Sequence, residues 1–405
     1  VADAPLTGIR VLDFSRVLAG PHAGRMLCDL GADVIKVEPP AGDITRFTNP
    51  RHRGMASYFV QQNVGKRNIS LDLDRPEARQ LLQQLVAHVD VVLENFRPGV
   101  MDRLGLGFDA LSAINPRLVF ASINGYGSTG PWRRRRAYAP VVGAEMGLTK
   151  AQGDARGGHY ANDPHSHADL YTSLEAASAI LAALFHRERT GVGQHVEVTM
   201  AETVLYTNEH LHDALYERAV PPGVIRSFQP GDYVVASLAD GSTIIVSGHP
   251  AENGTFERFV AAMDRRDLVA DARFTTVADR LAHLDELVGE VIAFAATVPD
   301  VHTFEERFAE HGLAVGQLRS SAEAADTEWA RERGAIVDID DRDGGRVRVP
   351  NVPWRFSAAP DVAVRGVPRY RGEDNRTVLG ELLGLDAAEL DRLEADGVLS
   401  SRLPS

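Results

Sequence analysis

Three sets of side chains in this sequence are of types that do chemistry: an acid just ahead of a long apolar segment, a run of four arginines, and three histidines. The acid is Asp169, in the stretch ADLYTSLEAASAILAALFHRERTGVGQHVEVTM at 168–200. An Asp in that position either accepts the free N–H groups at the start of a helix or stays available to react, and the segment alone does not choose. The arginines are Arg133 to Arg136. Guanidinium stays charged and grips phosphate oxygens in a fork, so the run is either a solvated loop or a small phosphate-binding patch. His159, His165 and His167 precede Asp169 at spacings that match no standard metal site. The single cysteine, Cys28, lies in the helical run Gly24 to Leu30 and reads as a buried, inert thiol.

The elements that must position these groups follow from periodicity and punctuation. After Asp169, an apolar band from Leu174 through Ile180 and Leu181 to Leu184 has few polar breaks, which predicts a largely buried helix. It ends in Arg187, Glu188 and Arg189 and then Gly191 and Gly193, which suit a C-cap, with a strand at His195 to Met200. Upstream, Ile9 to Phe14, a helix from His22 to Leu30 and Asp33 to Glu38 form a β-α-β unit without a G-x-G-x-x-G turn, so no dinucleotide is inferred. Residues 41–65 read as irregular. Extended or strand segments follow at Asn68 to Leu73, Val89 to Leu93 and Leu118 to Ile123, with a helix from Pro76 to Ala87. The polar turn Glu94 to Gly99 and the glycine-rich Asn124 to Pro131 close two of these, where open α/β sheets place ligands.

A helix at 201–214 and the break Pro221-Pro222-Gly223 end this part. A hairpin follows around Asp240-Gly241, with helices near 252–263, 280–295, 301–311 and 321–333. A second hairpin turns at Asp343-Gly344-Gly345, and helices at 375–383 and 387–396 are placed to pack back on the first part. The expected division is 1–220 large, 221–333 small and of the α+β type, and 334–405 returning to the large domain. With 405 residues, 44% hydrophobic and 24% charged, the chain has the composition of a globular enzyme, and its β-α-β opening is of the doubly wound α/β kind. No apolar run in the sequence itself reaches bilayer-spanning length, and residues 1–20 show no leader, so a soluble cytoplasmic protein without a membrane partner is expected. A formal net charge of −13 argues against nucleic acid as a partner.

Six segments, in order, resemble the class III CoA-transferases of the CaiB/BaiF family, which also holds the alpha-methylacyl-CoA racemases. They are VLDFSRVLAGP at 11–21, CDLGADVIKVEPPAGD at 28–43, NVGKRNISLDL at 63–73, VVLENFRPGV at 91–100, LVFASINGYGSTGP at 118–131, and the stretch 168–198. The resemblance implies a Rossmann-like large domain built from both chain ends, an inserted small domain, and a homodimer of interlocked rings. It implies that Asp169 is the catalytic carboxylate, acting on an acyl-CoA and a carboxylic acid acceptor, with no metal and no tightly bound cofactor besides the coenzyme A substrate. It further implies that Leu18 and Ala19 lie against CoA, that Leu71, Asn95, Phe96, Arg103 and Leu104 surround its adenine and ribose, and that Arg136 lies near its phosphates.

Two departures bear on specificity. PPGVIRSFQPGDY at 221–233 stands where many members carry a glycine-rich loop, and Ala139 stands where an acid is common. The family's racemases carry Gly-His-Asp where this chain has Ala137-Tyr138-Ala139. Racemisation needs a base on each face of the α-carbon, and an ordinary phenol is a poor one at neutral pH. The readings carried forward are thus a transferase, a racemase that would need one of the three histidines, and a CoA-binding protein without activity. Backbone N–H groups near Gly125 to Gly130 are candidates to stabilise oxyanions.

Overall fold

The computed structural model describes residues 4–52, 55–215, 225, 233–342 and 344–402. The expected boundary at Pro221-Pro222-Gly223 lies outside them, as does the 221–233 segment apart from residues 225 and 233, and as does Asp343. The chain forms two compact units, one of residues 1–209 with 329–405 and one of residues 210–328.

The first unit is built on a six-stranded sheet: β1 (Arg10–Asp13), β2 (Asp33–Glu38), β3 (Arg67–Ser70), β4 (Val91–Glu94), β5 (Val119–Asn124) and β6 (Gln194–Thr199). Every pairing is parallel, and the spatial order is β3-β2-β1-β4-β5-β6. Strands such as β4 are apolar without alternation because both faces are covered. One face packs Leu12, Ile35 and Val92 against the helix Pro76–Val86 and against Val378 and Leu393 of the C-terminal helices. The other packs Val11, Val34 and Val91 against the helix Ala19–Asp29 and the helix His167–Thr190. The order reverses between β1 and β4, which leaves a crevice at the carboxyl ends of those two strands.

The C-terminal segment also closes the sheet's β3 edge. The N–H groups of Asn68 and Ser70 would be open donors there, and they donate to the Asp374 carboxylate and the Asn375 amide oxygen, each at 2.8 Å. Residues 41–65 are more ordered than their punctuation predicts: a 3-10 turn at Ile44–Phe47 leads through two short strands to the helix Ser57–Asn63. Tertiary packing of Phe59 and Val60 outweighs the weak local signal.

The long helix is less buried than the expected largely buried helix. Ala176, Ile180 and Leu184 are buried, but Leu174 is 47% and Phe185 65% exposed. The helix is 24 residues long, and an 18-residue window of it has a mean hydropathy of 1.3, the length and apolarity of a membrane-crossing segment, although no unbroken apolar run in the sequence is that long. In this chain one of its faces lies on the sheet.

The second unit carries an antiparallel sheet of Val315–Gln317, Thr243–Val246 and Val234–Ser237 in that spatial order. The hairpin was expected, and the third strand was not, because three residues are too short for a period to show. Phe259, Phe304 and Phe308 are fully buried in this unit's own core.

Two of the chain's three lysines, Lys36 and Lys66, are buried beneath the first βα turn. Lys66 Nζ donates to Asp13 Oδ2 at 2.9 Å, to the Pro21 carbonyl at 2.8 Å and to Asn63 Oδ1 at 3.1 Å. Lys36 Nζ donates to the Ser15 carbonyl at 2.7 Å and pairs with Asp43 at 3.2 Å. The helix Ala19–Asp29 passes directly over the first pair at Gly24, where a Cβ would sit 2.7 Å from Asp13 Oδ2. Replacing Lys66 with Met strands the Asp13 charge in the interior and should cost about 3–5 kcal/mol. Urea unfolding measures it, and a loss below about 1 kcal/mol would mean that Asp13 finds another partner or a proton.

Candidate active site

Asp169 is in the first turn of the helix His167–Thr190, but it does not cap it. The N-cap is Ser166, so the Asp169 carboxylate is not spent on its own helix's N–H groups. It opens instead into a cavity of about 230 Å³ at the crevice between β1 and β4. The carboxylate accepts a hydrogen bond from the Ala139 N–H, where the short helix Ala139–Glu145 begins. Burial pushes its pKa up to about 6, against the pull of that one N–H. The phenol of Tyr58 is pushed up to about 12, by burial and then by the charges of Asp169 and Asp43. Tyr58 therefore stands close to both carboxylates, and nothing in the irregular-looking 41–65 sequence announced it.

Three strand ends supply the walls. After β1 come Arg16, Val17 and Ala19; after β4 come Asn95, Phe96 and Arg97; and the end of β5 gives Ile123 to Tyr126. Val17 has φ +70°, a left-handed conformation that a β-branched residue adopts only when its surroundings force it. The forcing contacts are visible. Asn95 Oδ1 accepts the Arg16 N–H and Asn95 Nδ2 donates to the Arg16 carbonyl, both at 2.8 Å, while the Val17 N–H donates to Asp43 at 3.2 Å. On the neighbouring turn, the Phe96 N–H donates to Glu94 at 2.7 Å, and burial pushes that carboxyl up to about 7.

The arginine run forms another wall, with Arg133, Arg135 and Arg136 lining the cavity. Arg135 is tied down by an ion pair to Glu145 and lies over the Trp132 ring at 4.4 Å. Arg16, Arg97, Arg133 and Arg136 have no carboxylate partner among the described residues. Arg16 and Arg97 were missed because each is a lone arginine in its segment; only the sheet order brings them beside the run.

Of the residues named from the sequence, Ala19, Asn95, Phe96, Arg136 and Asp169 meet in this cavity. Both ends of the Asn95 side-chain amide are already engaged by Arg16. Leu18 is buried next to Ala19, and Leu71 is fully buried in the core with Leu104 packed against the same cluster. Arg103 ends the short helix Val100–Arg103, and neither it nor Leu18, Leu71 or Leu104 is part of the cavity wall. His159, His165 and His167 do not line it either; His167 is held by Asp163 and stacks on Tyr171 at 5.4 Å. Of the glycine-rich stretch, Gly125 and Tyr126 reach the cavity, while the Gly127 N–H donates to Asn124 Oδ1 at 2.6 Å. Cys28 is buried, and burial pushes its thiol up to about 12, which leaves it inert.

Residues 6–375 match the family model described as CoA-transferase family III. The succinyl-CoA–L-malate CoA-transferase beta subunit of Chloroflexus aurantiacus is 31% identical over 98% of each chain. The succinate–glutarate CoA-transferase of Agrobacterium fabrum is 33% identical over 93% of this chain and 96% of its own. The crystal structure of a CaiB/BaiF family protein from Brucella suis superposes with a TM-score of 0.80 at 31% identity, over 94% of this chain and 100% of that one. The parallel α/β architecture, the length of the match and these relatives agree: the chain belongs to CoA-transferase family III.

Proposed function

We propose that this chain moves CoA from an acyl-CoA donor to a free carboxylic acid through covalent intermediates on Asp169. The observation that carries this reading is the situation of Asp169: a carboxylate free of helix-capping duty, partly desolvated, in a cavity rimmed by unpaired guanidinium groups. Desolvation makes a carboxylate a better nucleophile, and the guanidinium groups suit the phosphates of CoA.

The steps balance without an added energy source. An Asp169 oxygen attacks the thioester carbonyl, the C–S bond breaks, and CoA leaves as thiolate from a mixed anhydride. The thiolate attacks the aspartyl carbonyl, releasing the donor acid and leaving an aspartyl-CoA thioester. The acceptor carboxylate then attacks that thioester, and the expelled thiolate attacks the acceptor acyl carbon, restoring Asp169. Each bond broken is replaced by one of similar activation, so no nucleotide triphosphate is consumed.

By the family's pattern, CoA runs along Leu18, Ala19, Leu71, Asn95, Phe96, Arg103 and Leu104 with its phosphates near Arg136. The cavity positions of Ala19, Phe96 and Arg136 support that path; the Asn95 amide would serve it by holding the Arg16–Val17 turn. The two relatives are named for succinyl-CoA with L-malate and for succinate with glutarate. Short dicarboxylic acids are thus the acceptors to test first, and the surplus of guanidinium groups suits a second carboxylate. A Rossmann-like large domain built from both chain ends and an interlocked homodimer belong to the same proposal, and the exposed Leu174 and Phe185 on the long helix favour a partner surface there.

A racemase would need a second base facing Asp169. Tyr138 lines the cavity but is 64% exposed, and no histidine is in the described wall, so transfer is the better reading.

Asp169→Ala should abolish transfer while leaving CoA bound, and intact-mass spectra should show a CoA adduct after acyl-CoA treatment only in the unsubstituted protein. Transfer by the Asp169→Ala variant at a comparable rate would rule out the covalent route. Because only the ionised carboxylate attacks, kcat/KM should be flat above pH 7 and fall about tenfold per unit below the Asp169 pKa of about 6. A profile without that acid limb would assign the chemistry to another group. Arg136→Ala should raise KM for acyl-CoA about tenfold with little change in kcat, since remote phosphates are held alike in ground and transition states. Initial rates at low ionic strength test this, and an unchanged KM would shift the phosphate contact to Arg133 or Arg97.

A further inference from the structure

A second cavity in the first unit, of about 210 Å³, shares no lining residue with the one around Asp169. Four arginines line it, Arg46, Arg51, Arg371 and Arg402, together with Phe47 and Phe59. Among the described residues only Arg46 has an acid: its guanidinium forks onto Glu38 at 2.6 and 2.9 Å and lies over the Phe59 ring at 3.7 Å. Burial alone would raise Glu38, but Arg46 and Lys36 outweigh it and hold the carboxyl below its ordinary value. That carboxylate is fully engaged, because it also accepts from the Asn68 amide and the Asp43 N–H.

Arg371 is the anomaly. It is 9% exposed, and burial lowers its pKa. Nη1 donates to the hydroxyls of Ser70 and Ser400 at 2.6 Å each, and Nε and Nη2 bond nothing among the described residues. No described carboxylate pairs with it. A buried guanidinium normally keeps a counter-ion, because two neutral hydroxyls do not offset its lost hydration. Among the described residues Arg402, over the Phe47 ring at 5.7 Å, and Arg51, which donates to the carbonyls of Thr48 and Phe47, likewise have no acid. Three guanidinium groups that no described carboxylate pairs, the buried Arg371 near the Glu38 charge and the exposed Arg51 and Arg402, thus line one cavity in a chain whose formal net charge is −13.

We propose that this cavity binds a small dianion of the phosphate-ester class, its charge on Arg371 and its apolar body against Phe47 and Phe59. A dianion meets more than one guanidinium at once, and the two aromatic rings give the rest of the molecule a place that inorganic phosphate cannot use.

Titration calorimetry at constant ionic strength, with inorganic phosphate and with phenyl phosphate, tests the proposal on the full chain. Saturable binding is expected for both, tighter for phenyl phosphate, and weaker by about tenfold or more in Arg371→Met. Arg402→Met should weaken it in the same direction and serves if Arg371→Met does not fold. The titrations are run with CoA saturating, which keeps the probes out of the Asp169 cavity, and the binding should persist under that condition. Absence of saturable binding, indifference to both substitutions, or displacement by CoA would each overturn the proposal, the last by making the cavity part of the CoA site. Failure here leaves the Asp169 reading standing, since that rests on transfer assays and on the other cavity.

Discussion

Two lysine–carboxylate pairs buried under the first βα turn set the geometry on which the rest of the site depends. Lys66 with Asp13 and Lys36 with Asp43 lie in a part of the core where an unpaired charge would be strongly unfavourable, so each constrains its partner to one place. Asp13 ends β1, Asp43 opens the 3-10 turn Ile44–Phe47 after β2, and the turn leaving β1 passes between these two carboxylates through Ser15, whose carbonyl accepts from Lys36. The Asp43 carboxylate then holds the Val17 N–H, and Asn95 holds Arg16 from the other side. Val17 stays in its left-handed conformation because both neighbours are fixed. The cavity wall beside Asp169 is therefore positioned by polar contacts that begin at charges buried beneath it.

The electrostatics of the site run against those of the whole protein. The chain is acidic, yet the crevice at the sheet's switch point gathers arginines from two strand ends and one loop. Between them stands one carboxylate whose ionisation is made less favourable by burial, with a single N–H offsetting it. That combination separates two tasks. In the proposed reaction, the cations would hold the remote anionic part of a CoA thioester, while burial would leave the Asp169 oxygen poorly solvated for its attack. Neutralising arginines close to Asp169 by internal ion pairs, as Glu145 does for Arg135, would remove the first task without helping the second.

Much of this was legible in the sequence. The β-α-β opening, the strand-end turns at Glu94 to Gly99 and Asn124 to Pro131, the hairpin at Asp240-Gly241 and the C-terminal helices are local patterns of apolar period and turn residues, and short-range sterics dictate them. The family was also legible, because its six segments keep their order. Asp169 stood out for its place before a long apolar helix, and Arg136 for its run of like charges.

Only the tertiary structure decided how those pieces meet. That Ser166 rather than Asp169 caps the helix depends on where the first turn closes, a matter of one residue that composition does not resolve. That Arg16 and Arg97 join the arginine run depends on strand order, which pairs β1 with β4 although some eighty residues separate them. The helix His167–Thr190 reads as apolar all round, and packing alone determines that Ile180 is covered while Phe185 is not. The buried lysines gave no local sign at all. A lysine in a sequence carries the same charge whether it faces water or an aspartate, and its burial is fixed by contacts such as Lys66 with Asp13, formed across fifty-three positions of chain.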